Sequence, residues 1–458
     1  MSEASVVDPA VDASSNHLAQ RIVDRSAMVG VVGLGYVGLP LAVALAECGY
    51  LVRGLDIAAE RVAGIGRGQS PIGDVADGRL APLVGAGRLS ASTDDAVLGA
   101  CDVIFVCVPT PFDANKTPDL RAVIAAADAV ARRLRAGQLI ILQSTTYPGT
   151  TEEVILPRLA ATGLAVGRDV HLAFSPERID PGVTEHTVLN TPKVVGGLTS
   201  RCAELAAALL STLGPEVKVV SSPRVAEMTK LLENIFRAVN IALVNELALL
   251  AERMDIDIWE VIGAAATKPF GFMPFWPGPG VGGHCIPIDP YYLSWKAREY
   301  DFSTRFIELA ADINQGMPAH VAGLLAAALD SRGRTLSGAR VLVLGVAFKP
   351  DVDDSRHSPA ERVIALLLAR GALVEYHDPY IRELAVGGDV FYSERTVLRS
   401  RSLDADALAG VDAALILTAH RAMDLELVLA GAPLVVDATR ATAGLRAPNL
   451  VRLGTPLA

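Results

Sequence analysis

A thiol becomes a strong nucleophile where polar surroundings favour the thiolate and the sulfur can be reached. The chain has five cysteines, Cys48, Cys101, Cys107, Cys202 and Cys285. Cys101 and Cys107 flank a strand-like run and read as packing. Cys285 instead closes the stretch Pro277-Gly-Pro-Gly-Val-Gly-Gly-His-Cys285-Ile-Pro-Ile-Asp289. That density of Gly and Pro cannot lie inside a helix or strand, so it is a loop whose exposed amides can hold an anion or a sugar. Asp289 follows four residues later, close enough in a turn to share a site with the sulfur and to accept a proton. The bland alternative for Cys285 is a small buried hydrophobe, the usual fate of a free cysteine. Lys230 and Asn234 stand four apart in a segment of helical periodicity, so both project from one face. An ammonium and an amide converging on a developing oxyanion are what alcohol oxidation requires, although such a pair alone is more often a solvated face.

A second constellation is Gly33-Leu-Gly35-Tyr36-Val37-Gly38, which follows the apolar run Met28 to Val32 and opens a helical stretch. The first glycine suits a tight turn, the second lets the backbone approach a pyrophosphate, and the third lets helix and strand pack closely. Asp56 ends the next apolar run, about twenty positions on, where a carboxylate accepts the ribose hydroxyls and repels a 2′-phosphate. The cofactor expected is therefore NAD rather than NADP, with Arg53 and Arg61 close by in sequence as possible counter-charges.

The elements that must hold these residues can be read from periodicity. Further short apolar runs at Asp102 to Val108, Leu139 to Ser144, Val170 to Phe174 and Val217 to Val220 alternate with Ala-rich helical stretches such as Leu120 to Arg135. That pattern fits a parallel sheet covered on both faces. From Arg224 to Met254 the periodicity is helical throughout, either a buried core helix or a spine between domains that also packs on a second subunit. Past Arg340 the alternation resumes, with Gly345 but no second GxGxxG, so a second dinucleotide site is not expected there. The fold class expected is α/β, with two Rossmann-like doubly wound domains joined by a helical one. Its boundaries are a flexible tail over residues 1–26, a dinucleotide domain over 27–222, a helical domain over 223–330 and a second α/β domain over 331–458.

Composition narrows the function. The 458 residues carry a formal net charge of −10, which argues against a nucleic-acid footprint. The cysteines are odd in number and lack metal-ligand spacing, so no metal is implied and a reducing, cytoplasmic setting fits. No secretory leader and no uninterrupted apolar stretch of bilayer length is read.

These residues together resemble the nucleotide-sugar 6-dehydrogenases, the UDP-glucose/GDP-mannose dehydrogenase family, from about Met28 to Arg440. The stretches that carry the resemblance are GLGYVGLP, VPTPF, STTYPGTT, SPER, EMTKLLENIFRAVNIALVNE, GPGVGGHCIPIDPYYL and VLVLGVAFKPDVDDSR, in family order. GGHC and the preceding TKPFGFMPF are most similar to bacterial members acting on UDP-N-acetylglucosamine and its relatives; UDP-glucose members usually carry GGSC, so His284 departs from their pattern.

The resemblance implies that Cys285 is the nucleophile, surrounded by Lys230, Asn234 and Asp289, with Thr145 and Glu177 positioning water or relaying protons. Pro181 stands where members often carry a second acidic residue. Pro109 and Thr110 fall on the cofactor side, and Arg178, Gly282, Gly283, Lys349, Arg356 and Arg440 on the nucleotide-sugar side. The implied reaction is NAD-dependent oxidation of the C6 alcohol of a UDP- or dTDP-hexose, glucose or N-acetylhexosamine, to the uronate, by a homodimer or dimer of dimers. It would serve polysaccharide or natural-product sugar synthesis. Two rivals are a two-electron β-hydroxyacid dehydrogenase, which has no use for Cys285, and a protein that binds NAD and nucleotide sugar without turnover.

Overall fold

A computed structural model describes residues 9–113, 117–179, 186–283, 286–388 and 392–456, with side chains from Asn16 onward. His284, Cys285 and Pro181 lie outside the described residues. The chain divides into two compact units, one running through Glu233 and including Tyr291–Asp301, the other made of Asn234–Pro290 and Phe302 onward.

The first unit is built on eight strands: β1 (Met28–Val32), β2 (Leu51–Leu55), β3 (Leu89–Ser92), β4 (Val103–Val106), β5 (Leu139–Leu142), β6 (His171–Phe174), β7 (Lys193–Gly197) and β8 (Val217–Val220). Their spatial order is β3-β2-β1-β4-β5-β6-β7-β8. Strands 3-2-1-4-5-6 are the parallel order of dinucleotide-binding sheets. Alternate residues serve opposite cores. Val103, Phe105, Leu139 and Ile141 join one apolar cluster, while Ile104, Val106, Ile140 and Leu142 join another. A period of two with both sets apolar means that both faces are covered, which is why these runs read as continuously hydrophobic.

The second unit repeats the scheme with β9 (Arg340–Leu344), β10 (Leu373–His377), β13 (Ala413–Ile416), β14 (Val435–Asp437) and β15 (Leu450–Arg452) in the order β10-β9-β13-β14-β15, all parallel. A separate hairpin pairs β11 (Glu383–Gly387) with β12 (Arg395–Arg399). The two turns correspond atom for atom. Gly33 N–H donates to Leu55 O and Leu34 N–H to Asp56 in the first unit; Gly345 N–H donates to His377 O and Val346 N–H to Asp378 in the second. Both glycines have positive φ, +90° and +80°, a conformation that other residues adopt only with strain. In the second copy the acidic residue is closed off. Asp378 also accepts from the amides of Ala347, Tyr380 and Ile381 and from His420 Nε2 at 3.0 Å. With its lone pairs committed to protein, it has no capacity for a ribose, in line with the missing glycine motif.

Three features differ from the sequence expectation. The tail is not a tail throughout: Pro9–Val23 is a helix whose Leu18 and Ile22 are buried, and whose Arg21 pairs with Asp102 at 2.8 Å. The Leu18/Ile22 pair is the i,i+4 signal that its polar neighbours obscured. The central helices, moreover, do not form a unit of their own. Met317, Val321 and Leu325 of the Arg305–Asp330 helix complete the core of the second sheet, while Lys296 of the Asp289–Ala297 helix pairs with Glu153 in the first unit. Finally, the Pro223–Arg253 helix is long and apolar enough to cross a membrane by length and composition, where no such stretch was expected. A core helix of a globular protein passes the same test, and this one buries Glu227 and Asn245 against protein partners.

Candidate active site

In the first unit the site begins at the glycine turn. A Cβ on Gly33 would sit 2.6 Å from Cys107 O, and one on Gly38 would overlap Gly33 O, so both must be glycine for the turn to close. A Cβ on Gly35 would meet no protein atom within 4 Å. The turn needs Gly33 and Gly38 for packing, but the bare backbone at Gly35 leaves room for something that is not protein, which fits a pyrophosphate. Tyr36 and Val37 lead into the Gly38–Glu47 helix, whose N-terminus has no side-chain cap. Uncapped first-turn amides favour an anion. Asp56, buried, accepts from Ala58 N–H and from Arg61 Nη1, each at 2.9 Å, besides Leu34. Burial pushes its carboxyl upward, but the amides of Ala58 and Leu34 and the Arg61 guanidinium outweigh that and hold it below the ordinary carboxylate range. Arg61 is thus tied to the carboxylate, and Arg53 turns to Ser90 Oγ at 3.1 Å.

The carboxyl ends of β4, β5 and β6 carry the next group. Pro109 is exposed and Thr110 half-buried; the carbonyl of Thr110 accepts from Tyr292. Thr145 is half-buried just beyond β5, after Ser144, whose hydroxyl donates to Val108 O at 2.7 Å. Glu177 is buried beyond β6 and bonded to Lys193, Gln143 and two loop amides. Arg178 Nη2 lies 2.6 Å from Glu233 on the long helix. Lys230, on that helix, is also buried. Three residues before it, Glu227 accepts from Gly149 N–H at 2.5 Å and Thr151 N–H at 2.9 Å, fixing the loop that follows Thr145. Burial raises the Glu227 carboxyl above its ordinary value, more than these hydrogen bonds lower it.

In the second unit, Asn234 Nδ2 donates to Asp289 Oδ2 at 2.5 Å, both side chains being buried. Asp289 starts the Asp289–Ala297 helix, where the dipole favours a negative charge. Asn245 sits eleven residues further along the long helix and accepts from Gly278 N–H at 3.0 Å, anchoring the start of the glycine-rich loop. That loop lies along the second sheet's carboxyl edge. A Cβ on Gly282 would come within 2.9 Å of His357 O and 3.0 Å of Phe348, and one on Gly283 within 2.9 Å of the Phe348 ring. Gly282 and Gly283 are thereby brought to the segment that carries Lys349 and Arg356, the latter held by Asp354 at 2.8 Å. Arg440, exposed after β14, places its guanidinium 3.9 Å over the Trp276 ring, which stacks on Trp259. Ligands of doubly wound sheets bind at this edge. Lys193 and Trp276 have no mark in the sequence reading, and Gln143, Glu227 and Asn245 fall in quoted stretches without being singled out, because each acquires its role from a partner distant in the chain.

The arrangement defines a dinucleotide-dependent oxidoreductase with a second α/β unit fitted for another ligand. The chain matches the UDP-glucose/GDP-mannose dehydrogenase family over its NAD binding domain (residues 27–213), central domain (224–316) and UDP binding domain (342–443), and it belongs to that family. It is 41% identical to the UDP-N-acetyl-D-glucosamine 6-dehydrogenase of Pseudomonas aeruginosa, over 77% of this chain and 83% of that one. With the UDP-N-acetyl-D-mannosamine dehydrogenase of Pyrococcus horikoshii it shares 39% identity, over 77% and 84%. The solved structure of the UDP-D-ManNAc dehydrogenase from Pyrococcus horikoshii superposes with a TM-score of 0.83 at 32% identity, covering 93% of this chain and 99% of that one. A UDP-glucose dehydrogenase structure from Pyrobaculum islandicum gives 0.82 at 29% identity, covering 94% and 98%. The chain is therefore an NAD-dependent nucleotide-sugar dehydrogenase.

Proposed function

We propose that this chain oxidises the C6 hydroxymethyl of a UDP-linked N-acetylhexosamine to the carboxylate, in two steps that share Cys285. The balance is one alcohol, two NAD and one water giving one carboxylate, two NADH and three protons. NAD, when bound at the Gly33–Asp56 turn, accepts one hydride per molecule, so the four-electron change consumes two. Cys285 captures the aldehyde as a thiohemiacetal and holds the acyl group as a thioester until water releases it. Lys230 and Asn234 stabilise the oxyanions, Asp289 takes the proton, and Thr145 with Glu177 shapes the water side. Arg178, Gly282, Gly283, Lys349, Arg356 and Arg440 hold the diphosphate and sugar.

The observation that carries this reading is the buried Asn234–Asp289 pair, which sets an amide donor and a carboxylate side by side four residues from Cys285. A two-electron β-hydroxyacid dehydrogenase needs neither that thiol nor a second α/β unit. The form GGHC and the names of the most similar relatives favour an N-acetylhexosamine over glucose, and UDP over dTDP. The place of action is the cytoplasm, where NAD and sugar nucleotides are found. A second copy of the chain covers the long helix: Met228, Leu232, Phe236, Leu243, Leu247 and Leu250 form an exposed apolar stripe at 39–58% exposure and helical spacing. The substrate is tested by incubating the protein with NAD and UDP-N-acetylglucosamine, UDP-N-acetylmannosamine, UDP-glucose or dTDP-glucose. The expected result is a kcat/KM for one of the first two at least tenfold above both glucose nucleotides; the reverse order overturns the sugar assignment.

A further inference from the structure

A fully buried lysine opens β7, and the direction of that strand gives it a purpose. The pairings of the first sheet are parallel except β6 with β7, which run antiparallel with Ala173 opposite Gly197 and Phe174 opposite Gly196. Continued beyond β6, that register sets residue 177 opposite residue 193. The reversal thus carries the first residue of β7 to the carboxyl edge, where a parallel strand would have put its last. Lys193 Nζ lies 3.0 and 3.2 Å from the two oxygens of Glu177. Glu177 also accepts from Gln143 Nε2 at 3.0 Å, Arg178 N–H at 2.7 Å and Ile179 N–H at 3.1 Å. Four donor groups thus converge on one carboxylate, Lys193 and the two amides on Oε1 and Gln143 on Oε2.

Burying an ion pair brings a desolvation cost that apolar residues of equal volume would avoid, so stability alone is a weak reason for it. Its surroundings supply another. The hydroxyls of Thr146 beyond β5, Ser175 just after β6 and Thr191 just before β7 are buried with no hydrogen-bond partner among the described residues. Native interiors seldom leave such groups over, so this edge carries hydroxyls whose partners lie outside the described residues. The loop that Glu177 organises also carries Arg178, which donates to Pro192 O at 2.8 Å and pairs with Glu233, one residue before Asn234.

We propose that Lys193 is a positioning residue for the oxidation put forward above, on which this inference rests. Acting through Glu177, it fixes the 175–179 loop and, by way of Arg178, the register of that loop against the helix carrying Lys230. Glu177 is then the fixed anchor of the water side, held in place by these protein donors.

The test compares wild type, Lys193→Met and the double variant Glu177→Gln/Lys193→Met, measuring the thermal midpoint, kcat and KM for the nucleotide sugar. Lys193→Met leaves a buried carboxylate without its cation, and its midpoint falls by roughly 10 °C. The double variant removes that charge and recovers most of the midpoint. Its kcat nevertheless stays on the order of 100-fold down, the effect of a misplaced site, while KM changes less than about threefold. Recovery of kcat together with the midpoint would make the pair purely structural and overturn the proposal. A wild type that turns over no sugar nucleotide would instead sink the functional reading, and the positioning role with it.

Discussion

Glycines of the first turn separate folding from binding, and the separation can be measured. Gly33→Ala forces a Cβ to 2.6 Å from Cys107 O at a φ of +90°, so it should destabilise the fold by about 2 kcal/mol or more, read as a lower midpoint in denaturant. Gly35→Ala meets no protein atom, so stability should stay within about 0.5 kcal/mol while NAD affinity falls roughly 10- to 100-fold in titration calorimetry. Equal effects of the two substitutions on stability would contradict the assignment of the space over Gly35 to cofactor. Asn234→Ala removes a donor from Asp289; on the proposed oxyanion role, kcat should also drop about 100-fold with KM little changed. The glycine turn, Asp56 and the Lys230/Asn234 spacing were legible because local chain geometry alone defines them. Lys193 was not, since nothing near it in sequence announces that its strand runs backwards.

Strand and helix types were legible wherever one period ran uninterrupted. β1 and β8 occupy the spans their apolar runs predicted, and the long helix begins and ends within one residue of expectation. The short, polar-patterned β3 and the β11/β12 hairpin escaped, because half-exposed strands of four or five residues give no contrast with loops. The stripe on the long helix makes its own prediction. On the proposed pairing of two copies, wild type should run as a dimer and Leu243→Asp as a monomer in light scattering at micromolar concentration; an equal mass for the two would contradict that pairing. The second unit has a pH signature. Burial pushes the Asp378 carboxyl up, but His420 and the amides of Val346, Ile381 and Tyr380 outweigh that and hold it at about 2. A depressed carboxylate stabilises the fold above the unfolded pKa of about 3.9, and that contribution, about 2 kcal/mol, is lost as pH falls towards 2. Asp378→Asn should therefore be less stable than wild type at pH 7, with the gap closing between about pH 4 and pH 2 in thermal scans. A gap independent of pH would deny that the ionised carboxylate is what His420 and those amides hold.

At the scale of the whole molecule, the sequence showed two doubly wound sheets, a long helix and a helical segment between them; the family models mark a central domain over 224–316, and by packing the chain divides into two compact units. The Arg305–Asp330 helix completes the apolar face of the second sheet, and burial of that kind depends on tertiary packing that periodicity cannot register. The residues singled out in the sequence fall in both units. The cofactor turn, Thr145, Glu177 and Lys230 belong to the first unit; Asn234, Asp289, Lys349, Arg356 and Arg440 belong to the second. The family establishes a nucleotide-sugar dehydrogenase that uses NAD. What separates four-electron from two-electron chemistry is the use made of Cys285. The most direct measurement counts NADH per molecule of limiting UDP-N-acetylhexosamine, in wild type and in Cys285→Ser, with the product identified by mass. The account predicts two NADH and a uronate for wild type, and a serine variant that stalls before releasing the acid. One NADH per sugar with free aldehyde as product, or full turnover in Cys285→Ser, would contradict it.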